Sequence, residues 1–416
     1  PATALRYPAD QGSLSRAVLR CVGVGRCRRE EGGTMCPSYR VTGEEKHSTR
    51  GRARLLYEML AGEVVTDGFR SEEVREALDL CLACKGCKSD CPAGVDMASY
   101  KAEFLHHYYK GRPRPVQAYA VGLVAWWARA GSLAPGLANA LLRTRIAKRL
   151  GGIAPERRLP SLARETFRAA FGRRNTALEG GEGEPVLLWP DTFTDFFHPE
   201  IGMAAADVLE AAGYRVTLPR RRLCCGRPLY DSGMLGLARR WLGRILETLA
   251  PEIDAGVPLV VLEPSCAAVF RDELLQLFPE DPRARRLSAL SRTLAELLAD
   301  SPFAPSRLEE RAVVHGHCHH KAVMGMAADR TLLARLGLDF EILDSGCCGM
   351  AGGFGFEKDH YEVSIACGER VLLPAVRATT PDTLVIADGF SCREQIAQAT
   401  GRRALHLAQV ARMAVG

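Results

Sequence analysis

The sequence predicts a multidomain chain, with a small α-helical domain over residues 1–112 followed, after a helical stretch, by an α/β domain of two repeats. Two observations carry this. The run Cys81-Leu-Ala-Cys84-Lys-Gly-Cys87-Lys-Ser-Asp-Cys91-Pro92 lies among short, serine-capped helical patterns. In the C-terminal half a strand, a helix, a second strand and a Cys-Cys-Gly triplet are followed by a helix, a third strand and a single cysteine, and the order then recurs. Alternating strands and helices imply parallel layers, with the cysteines at the carboxyl ends of strands, where open sheets place their sites.

Composition narrows the class. A chain of 416 residues has room for two or three domains, and 47% apolar with 25% charged residues is ordinary for a soluble globular protein. The net charge of +6 spreads 55 bases among 49 acids, which argues against a nucleic-acid binder with one basic stripe. Residues 1–20 lack the apolar core of an export signal, so the expected location is cytoplasmic. The chain starts at Pro1 rather than Met and reads as a piece of a longer protein. Fifteen cysteines in a reducing compartment read as metal ligands rather than disulfides.

The spacing C-x2-C-x2-C-x3-C-P is that of bacterial iron–sulfur ferredoxins, where three thiolates hold one cluster and the cysteine before proline serves another. Paired zinc knuckles would need a second C-x2-C a dozen or more residues away. The second motif lies upstream. Ser13 opens a helix that delivers Leu14, Val18 and Cys21 on one face, as Ser71 opens one that delivers Val74, Leu78 and Cys81. After Cys21 the pattern continues with Val24, Cys27 and Cys36-Pro37, so Val24 occupies the second ligand position. Crossing the partners gives Cys81, Cys84, Cys87 and Cys36 to a 4Fe-4S cluster, leaving Cys21, Cys27 and Cys91 for a second cluster one ligand short. That site is expected to hold a 3Fe-4S cluster, or a second 4Fe-4S cluster with water or histidine at the open iron; the remaining alternative is an empty, decayed half. The missing ligand resembles that of the succinate dehydrogenase iron–sulfur subunit. Between the motifs, Ser48 or Thr49 caps a helix with an apolar face of Leu55, Leu56, Met59 and Leu60. Lys46, Arg50, Arg52 and Arg54 are candidates to offset the clusters' negative charge; the alternative is a solvated helix face.

Residues 113–183 form a helical connector. One further helix over 97–112 precedes it, and the apolar run Ala118–Ala128, with Trp126 and Trp127, ends at Arg129, far short of the roughly 20 residues that span a bilayer. With Arg143, Arg145, Lys148 and Arg149 it forms a basic amphipathic surface, expected to pack on another domain or subunit or to touch a membrane peripherally at its inner face. Residues 172–185 read as a linker.

The first Cys-Cys-Gly repeat, 184–305, places Cys224, Cys225 and Cys266 together; the second, 306–416, places Cys318, Cys347, Cys348 and Cys392. Cys367 falls in a helical pattern and reads as core. The glycine-rich Gly349–Gly355 lacks the spacing of a dinucleotide fingerprint and reads as close packing around the thiols.

These paired ferredoxin and Cys-Cys-Gly units resemble the iron–sulfur subunits of glycolate oxidase and anaerobic glycerol-3-phosphate dehydrogenase. The Cys-Cys-Gly part also resembles the Cys-Cys-Gly subunit of heterodisulfide reductase. Leu5-Arg-Tyr-Pro8, Cys36-Pro-Ser-Tyr-Arg-Val-Thr42 and His47-Ser-Thr-Arg-Gly-Arg-Ala-Arg-Leu-Leu56 are similar to the fused FAD-linked D-lactate and D-2-hydroxyglutarate dehydrogenases. The resemblance implies an oxidoreductase component that takes electrons from an FAD-bearing domain or partner oxidising a 2-hydroxy acid. It passes them to a quinone or soluble carrier and is itself inactive on the organic substrate. In the heterodisulfide reductase pattern five cysteines hold each unusual cluster: one early, the pair, and a closing C-x2-C. Here Thr192 takes the early place in repeat one and Glu263 one closing place, leaving three thiols. Repeat two keeps four, with Gly389 at the fifth place and His317, His319 and His320 nearby, and is expected to hold a cluster, another metal, or neither. Thiol–disulfide catalysis in this domain, and clusters that only brace the fold, are the competing readings.

Overall fold

The computed structural model describes residues 2–177 and 183–415. In the first domain six helices are α1 (Leu14–Leu19), α2 (Pro37–Thr42), α3 (Thr49–Ala61), α4 (Glu72–Asp79), α5 (Gly86–Asp90) and α6 (Met97–Tyr108). The serine caps are present: Ser13 accepts from the Arg16 amide, Ser71 from Val74 and Ser48 from Gly51. The helices end earlier than the sequence pattern suggests, α1 and α4 both before their cysteine and α6 at Tyr108 rather than 112. After α4 the backbone cannot resume a helix before α5. Ala83 (φ 49°) and Lys85 (φ 57°) are left-handed, a conformation L-residues avoid and a helix excludes.

The α/β part repeats one topology. Strands β1 (Glu184–Trp189), β2 (Tyr214–Thr217), β3 (Leu259–Val261) and β4 (Ser291–Arg292) form a parallel sheet in the order β2-β1-β3-β4. Strands β5 (Arg311–Val314), β6 (Asp339–Ile342) and β7 (Leu384–Ile386) form a second parallel sheet, β6-β5-β7, extended by a parallel bridge from Ile386 to Leu405. The inner strands are the buried ones, as parallel strands covered on both faces are: β3 along its whole length and β1 and β5 along most of theirs, while the edge strand β6 has no buried residue.

The repeats share a core. The long helix after β1 in repeat one, Pro199–Ala211, packs on the last helix of the chain, Leu407–Met413. The last helix of repeat one, Leu294–Ala299, packs on the first of repeat two, Ala327–Arg335. Ile201, Ala205, Leu209, Leu298, Leu332, Leu336, Leu407 and Val410 interdigitate in the layer between the sheets. Each repeat alone would leave two apolar helix faces in water, so the hydrophobic effect joins them.

The middle segment straps onto this body. Its helices cover Val116–Gly122, Val124–Gly131, Pro135–Leu142 and Arg145–Leu150. Beyond them, buried Arg157 donates to the Gly355 carbonyl at 2.6 Å and to Ser364 Oγ at 2.9 Å. The helix Phe167–Ala177 lies on Pro199–Ala211, with Phe167 against Gly202, where a Cβ would come within 2.6 Å of the ring. Of the linker expected at 172–185, residues up to Ala177 are helical, β1 begins at Glu184, and 178–182 lie outside the described residues. Among the described residues no helix is long and apolar enough to cross a membrane.

Candidate metal centres

The thiols of the first assigned cluster converge from two loops. Cys81 and Cys84 come from the turn between α4 and α5, Cys87 from the first turn of α5, and Cys36 from the N-terminus of α2; all four are buried. Burial, and then the proximity of Cys318, Cys87 and Cys36, pushes the Cys84 thiol well up. Burial, Asp96 and Cys81 do the same to Cys87. So many thiols cannot share an apolar pocket as thiolates without a cation to compensate them, which fits them to a metal cluster. The surroundings supply donors. Met97, in the first turn of α6, donates its amide to Cys87 Sγ at 3.4 Å. Burial raises the Cys36 pKa, but Arg52, Ser38 and Thr49 outweigh it and lower the value overall.

Arg52 is the cation that reaches this centre. Only 1% exposed, it donates from Nη1 to Cys36 Sγ at 3.3 Å, from Nη2 to Ser38 Oγ at 2.9 Å and from Nε to the Ala77 carbonyl at 2.6 Å. Lys46 and Arg50, grouped with it in the sequence, stand apart. Lys46 is exposed and pairs with Glu44 at 3.3 Å, and the Arg50 side chain pairs with Glu45 at 2.7 Å. Position on α3 decides this: Arg52 is on the inward face with Ala53, Leu56 and Met59, whereas Arg50 lies on the outward side.

Cys21, Cys27 and Cys91 lie at the edge of the same core, with Cys27 buried and the other two half-buried. Cys27 is close enough to Cys21 and Cys36 to feel both thiols, and burial raises its pKa. Val24 is 59% exposed and Val22 74% exposed, so the open ligand position faces solvent.

Lys85 ties this domain to the first repeat. It is fully buried, with Nζ at 2.5 Å from Asp272, 3.0 Å from Glu273 and 3.2 Å from Asp96. Burial opposes its charge, but Asp272, Asp96 and Glu273 hold its pKa well above the ordinary value. Arg227, next to the first Cys-Cys-Gly, closes the network at 2.6 Å from Glu273. Nothing in the sequence pattern marked these residues.

A second junction joins the cluster loop to repeat two. Leu82, Cys84, Cys318, Cys347, Phe354 and Cys367 form one packed group, and His319 Nε2 lies 2.9 Å from the Ala83 carbonyl. The Asp344 carboxylate accepts the Gly33 amide at 3.0 Å, and His360 Nε2 lies 2.9 Å from Asp79.

In repeat two Cys318, Cys347, Cys348 and Cys392 are buried together at the carboxyl ends of β5, β6 and β7. The thiols of Cys347 and Cys392, and then His315, favour the Cys348 thiolate and hold its pKa well below the usual value, while those of Cys347 and Cys392 are pushed up. His315, a residue the sequence pattern did not single out, joins them: one of its ring nitrogens and the sulfurs of Cys348 and Cys392 lie within 4.8 Å of one another. An H-x2-C spacing on one strand end, His315 to Cys318, was the available signal. Of the histidines flagged from sequence, His317 turns toward Gly389, His319 holds the cluster loop, and His320 pairs with Asp329 at 3.1 Å.

Repeat one brings fewer thiols together, three against four in repeat two. Cys225 and Cys266 sulfurs stand 2.9 Å apart, half-buried Cys224 leans on Thr192, and the nearby carboxylates are already used. Asp191 caps the helix Thr192–Phe196, and Glu263 accepts from Ser265 and, across the repeats, from the Phe390 amide at 2.8 Å.

The arrangement therefore defines an iron–sulfur protein in which a dicluster domain docks on paired cysteine-rich units. Residues 17–95 match the 4Fe-4S dicluster domain, and residues 191–271 and 313–397 match the Cysteine-rich domain. Among curated relatives the chain is 28% identical to D-2-hydroxyglutarate dehydrogenase of Pseudomonas putida, over 95% of this chain and 43% of that protein. It is 27% identical to the glycolate oxidase iron-sulfur subunit of Escherichia coli, over 96% of this chain and 95% of the subunit. It is 29% identical to one subunit of the anaerobic glycerol-3-phosphate dehydrogenase of the same organism, over 60% of this chain and 64% of that subunit. The chain spans less than half the length of the D-2-hydroxyglutarate dehydrogenases it matches. It is a homologue of these iron–sulfur components over most of its length.

Proposed function

We propose that this chain is the electron-transfer part of an FAD-dependent 2-hydroxyacid dehydrogenase of the D-lactate, D-2-hydroxyglutarate or glycolate type. The single observation that carries the reading is the shared packing of Cys84 with Cys318 and Cys347, which sets the assigned 4Fe-4S site against the second cysteine-rich unit. Oxidation of a 2-hydroxy acid to its 2-oxo acid releases two electrons and two protons, which leave the substrate at the flavin and end, through this chain, on a quinone or soluble acceptor. Bound clusters supply one-electron steps. The residues here do the rest: Cys36, Cys81, Cys84 and Cys87 hold one cluster, Cys21, Cys27 and Cys91 a 3Fe-4S or second 4Fe-4S cluster, and Arg52 sets the charge beside Cys36.

The FAD-bearing domain or subunit needs a docking face. The helices between 116 and 150 expose Trp126 and Trp127, together with Leu133, Leu137, Leu141, Ile146 and Leu150. Apolar exposure of this density marks a contact surface, which we assign to the flavin partner; a peripheral membrane contact is the competing occupant, favoured by Arg143, Arg145, Lys148 and Arg149.

The test is anaerobic mixing of the full-length protein, or of this chain with its flavin partner, with D-lactate, D-2-hydroxyglutarate and glycolate in turn. The visible iron–sulfur absorption should bleach with one of them, only when the flavin is present. Flavin reduction that leaves the iron–sulfur absorption unchanged would refute the reading. Disulfide reduction by the isolated chain would favour heterodisulfide-type catalysis instead.

A further inference from the structure

The second Cys-Cys-Gly unit lacks the fifth cysteine of the pattern it resembles, and its geometry shows why position 389 cannot provide a ligand. A Cβ built on Gly389 would stand 2.3 Å from His317 Cδ2. The His317 ring occupies the space a side chain would need, so the closing segment contributes one thiol, Cys392, and no second donor.

A different donor is present on the other side of the group. His315 follows β5 directly, is 2% exposed, and has its Nδ1 2.6 Å from Ser345 Oγ. Its Nε2 is buried with no hydrogen-bond partner. An orphaned ring nitrogen deep in a protein is expensive, and a histidine whose far nitrogen is anchored by a hydrogen bond is the usual form of a metal-binding imidazole. The same ring lies in the three-donor group with Cys348 and Cys392, and Cys318 and Cys347 adjoin it. Three strand ends converge here: β5 brings His315 and Cys318, β6 brings Ser345, Cys347 and Cys348, and β7 brings Cys392.

The geometry points to a four-cysteine, one-histidine iron–sulfur centre in the second repeat, ligated by Cys318, Cys347, Cys348, Cys392 and His315 Nε2, with the imidazole replacing the absent closing cysteine. Five donors exceed the four of a structural zinc site and suit a cluster of more than one iron. Imidazole in place of thiolate removes one negative charge, as it does in iron–sulfur sites that mix histidine with cysteine, and raises the potential. The inference goes beyond the dehydrogenase reading, because metal retention depends only on these donors and would stand if the flavin partner or substrate were another.

The test compares anaerobically purified full-length protein with its Cys347→Ser/Cys348→Ser variant and with His315→Ala and His315→Cys. Iron and sulfide are counted, and nitrogen hyperfine coupling is read from the paramagnetic form. The wild type should carry iron in excess of the double-serine variant. His315→Ala should lose that excess or its nitrogen coupling, and His315→Cys should regain the iron without the coupling. An unchanged signal from the dicluster domain and an unchanged elution volume control for folding. Equal iron in wild type and double-serine variant, zinc or a single ion in place of iron, or nitrogen coupling that survives in His315→Ala would each overturn the assignment.

Discussion

Replacing Arg52 by Gln is expected to lower the reduction potential of the 4Fe-4S cluster we propose at Cys36, Cys81, Cys84 and Cys87. The guanidinium is buried and its Nη1 lies 3.3 Å from Cys36 Sγ. An electron added to the cluster spreads over its irons and sulfides, about 2 Å beyond that sulfur, so the mean charge separation is about 5.5 Å. At an effective dielectric of about 20 the attraction is 332/(20 × 5.5), about 3 kcal/mol, or about 130 mV for one electron. The positive charge favours the reduced, more negative cluster, so its removal shifts the potential downward. Gln keeps a donor for Ser38 or Ala77, which limits structural damage. Arg50→Gln and Lys46→Gln are the controls, because both side chains are solvated and paired with Glu45 and Glu44. Redox titration followed by electron paramagnetic resonance reads all three. A shift below about 20 mV in Arg52→Gln with the cluster intact, or an equal shift in the controls, would refute the reasoning.

Val24→Cys should add a fourth thiolate at a position open to solvent, raise the iron of the dicluster domain by about one per chain, and abolish the signal of an oxidised three-iron cluster; unchanged iron and signal would mean this half does not hold a 3Fe-4S cluster. Lys85→Met would remove the fully buried cation that Asp96, Asp272 and Glu273 share, leaving Lys88 and Arg227 to compensate them in part, and should destabilise the domain junction by up to about 3–5 kcal/mol in denaturant unfolding. Burial opposes the charge on His360, yet Asp79 at 2.9 Å and Glu357 at 3.1 Å raise its pKa to about 9. A histidine raised in the folded state stabilises fully below its unfolded value of about 6.5 and loses that contribution as pH rises through about 9. With Asp79 half exposed, about 1–2 kcal/mol should disappear over this window, and His360→Gln should flatten the profile.

Much of the organisation was legible before any coordinates. Cysteine spacing is a local property, so C-x2-C-x2-C-x3-C-P, the Val24 substitution and the two Cys-Cys-Gly units could be read directly. Ser13, Ser48 and Ser71 announced their helices because a cap acts within one turn. Among the described residues, six of the seven strands are expected from short apolar runs; β4, two residues long, carries too little pattern to see.

What the chain order could not show was which distant side chains meet. Lys46, Arg50 and Arg52 look equivalent in sequence, yet Lys46 lies in the turn before α3 and pairs with Glu44, and the rotation of α3 against the domain core sends Arg52 to Cys36 while Arg50 faces outward to Glu45. Lys85 meets Asp272 across 187 positions, and His319 meets Ala83 across 236. Such pairs leave no periodicity to read, because burial of the shared core brings them together. His315 carries no local mark that separates it from the three histidines beside it, for the same reason. Its place among Cys348 and Cys392 depends on three strand ends converging, which hydrophobic packing of the sheet decides and no local spacing records.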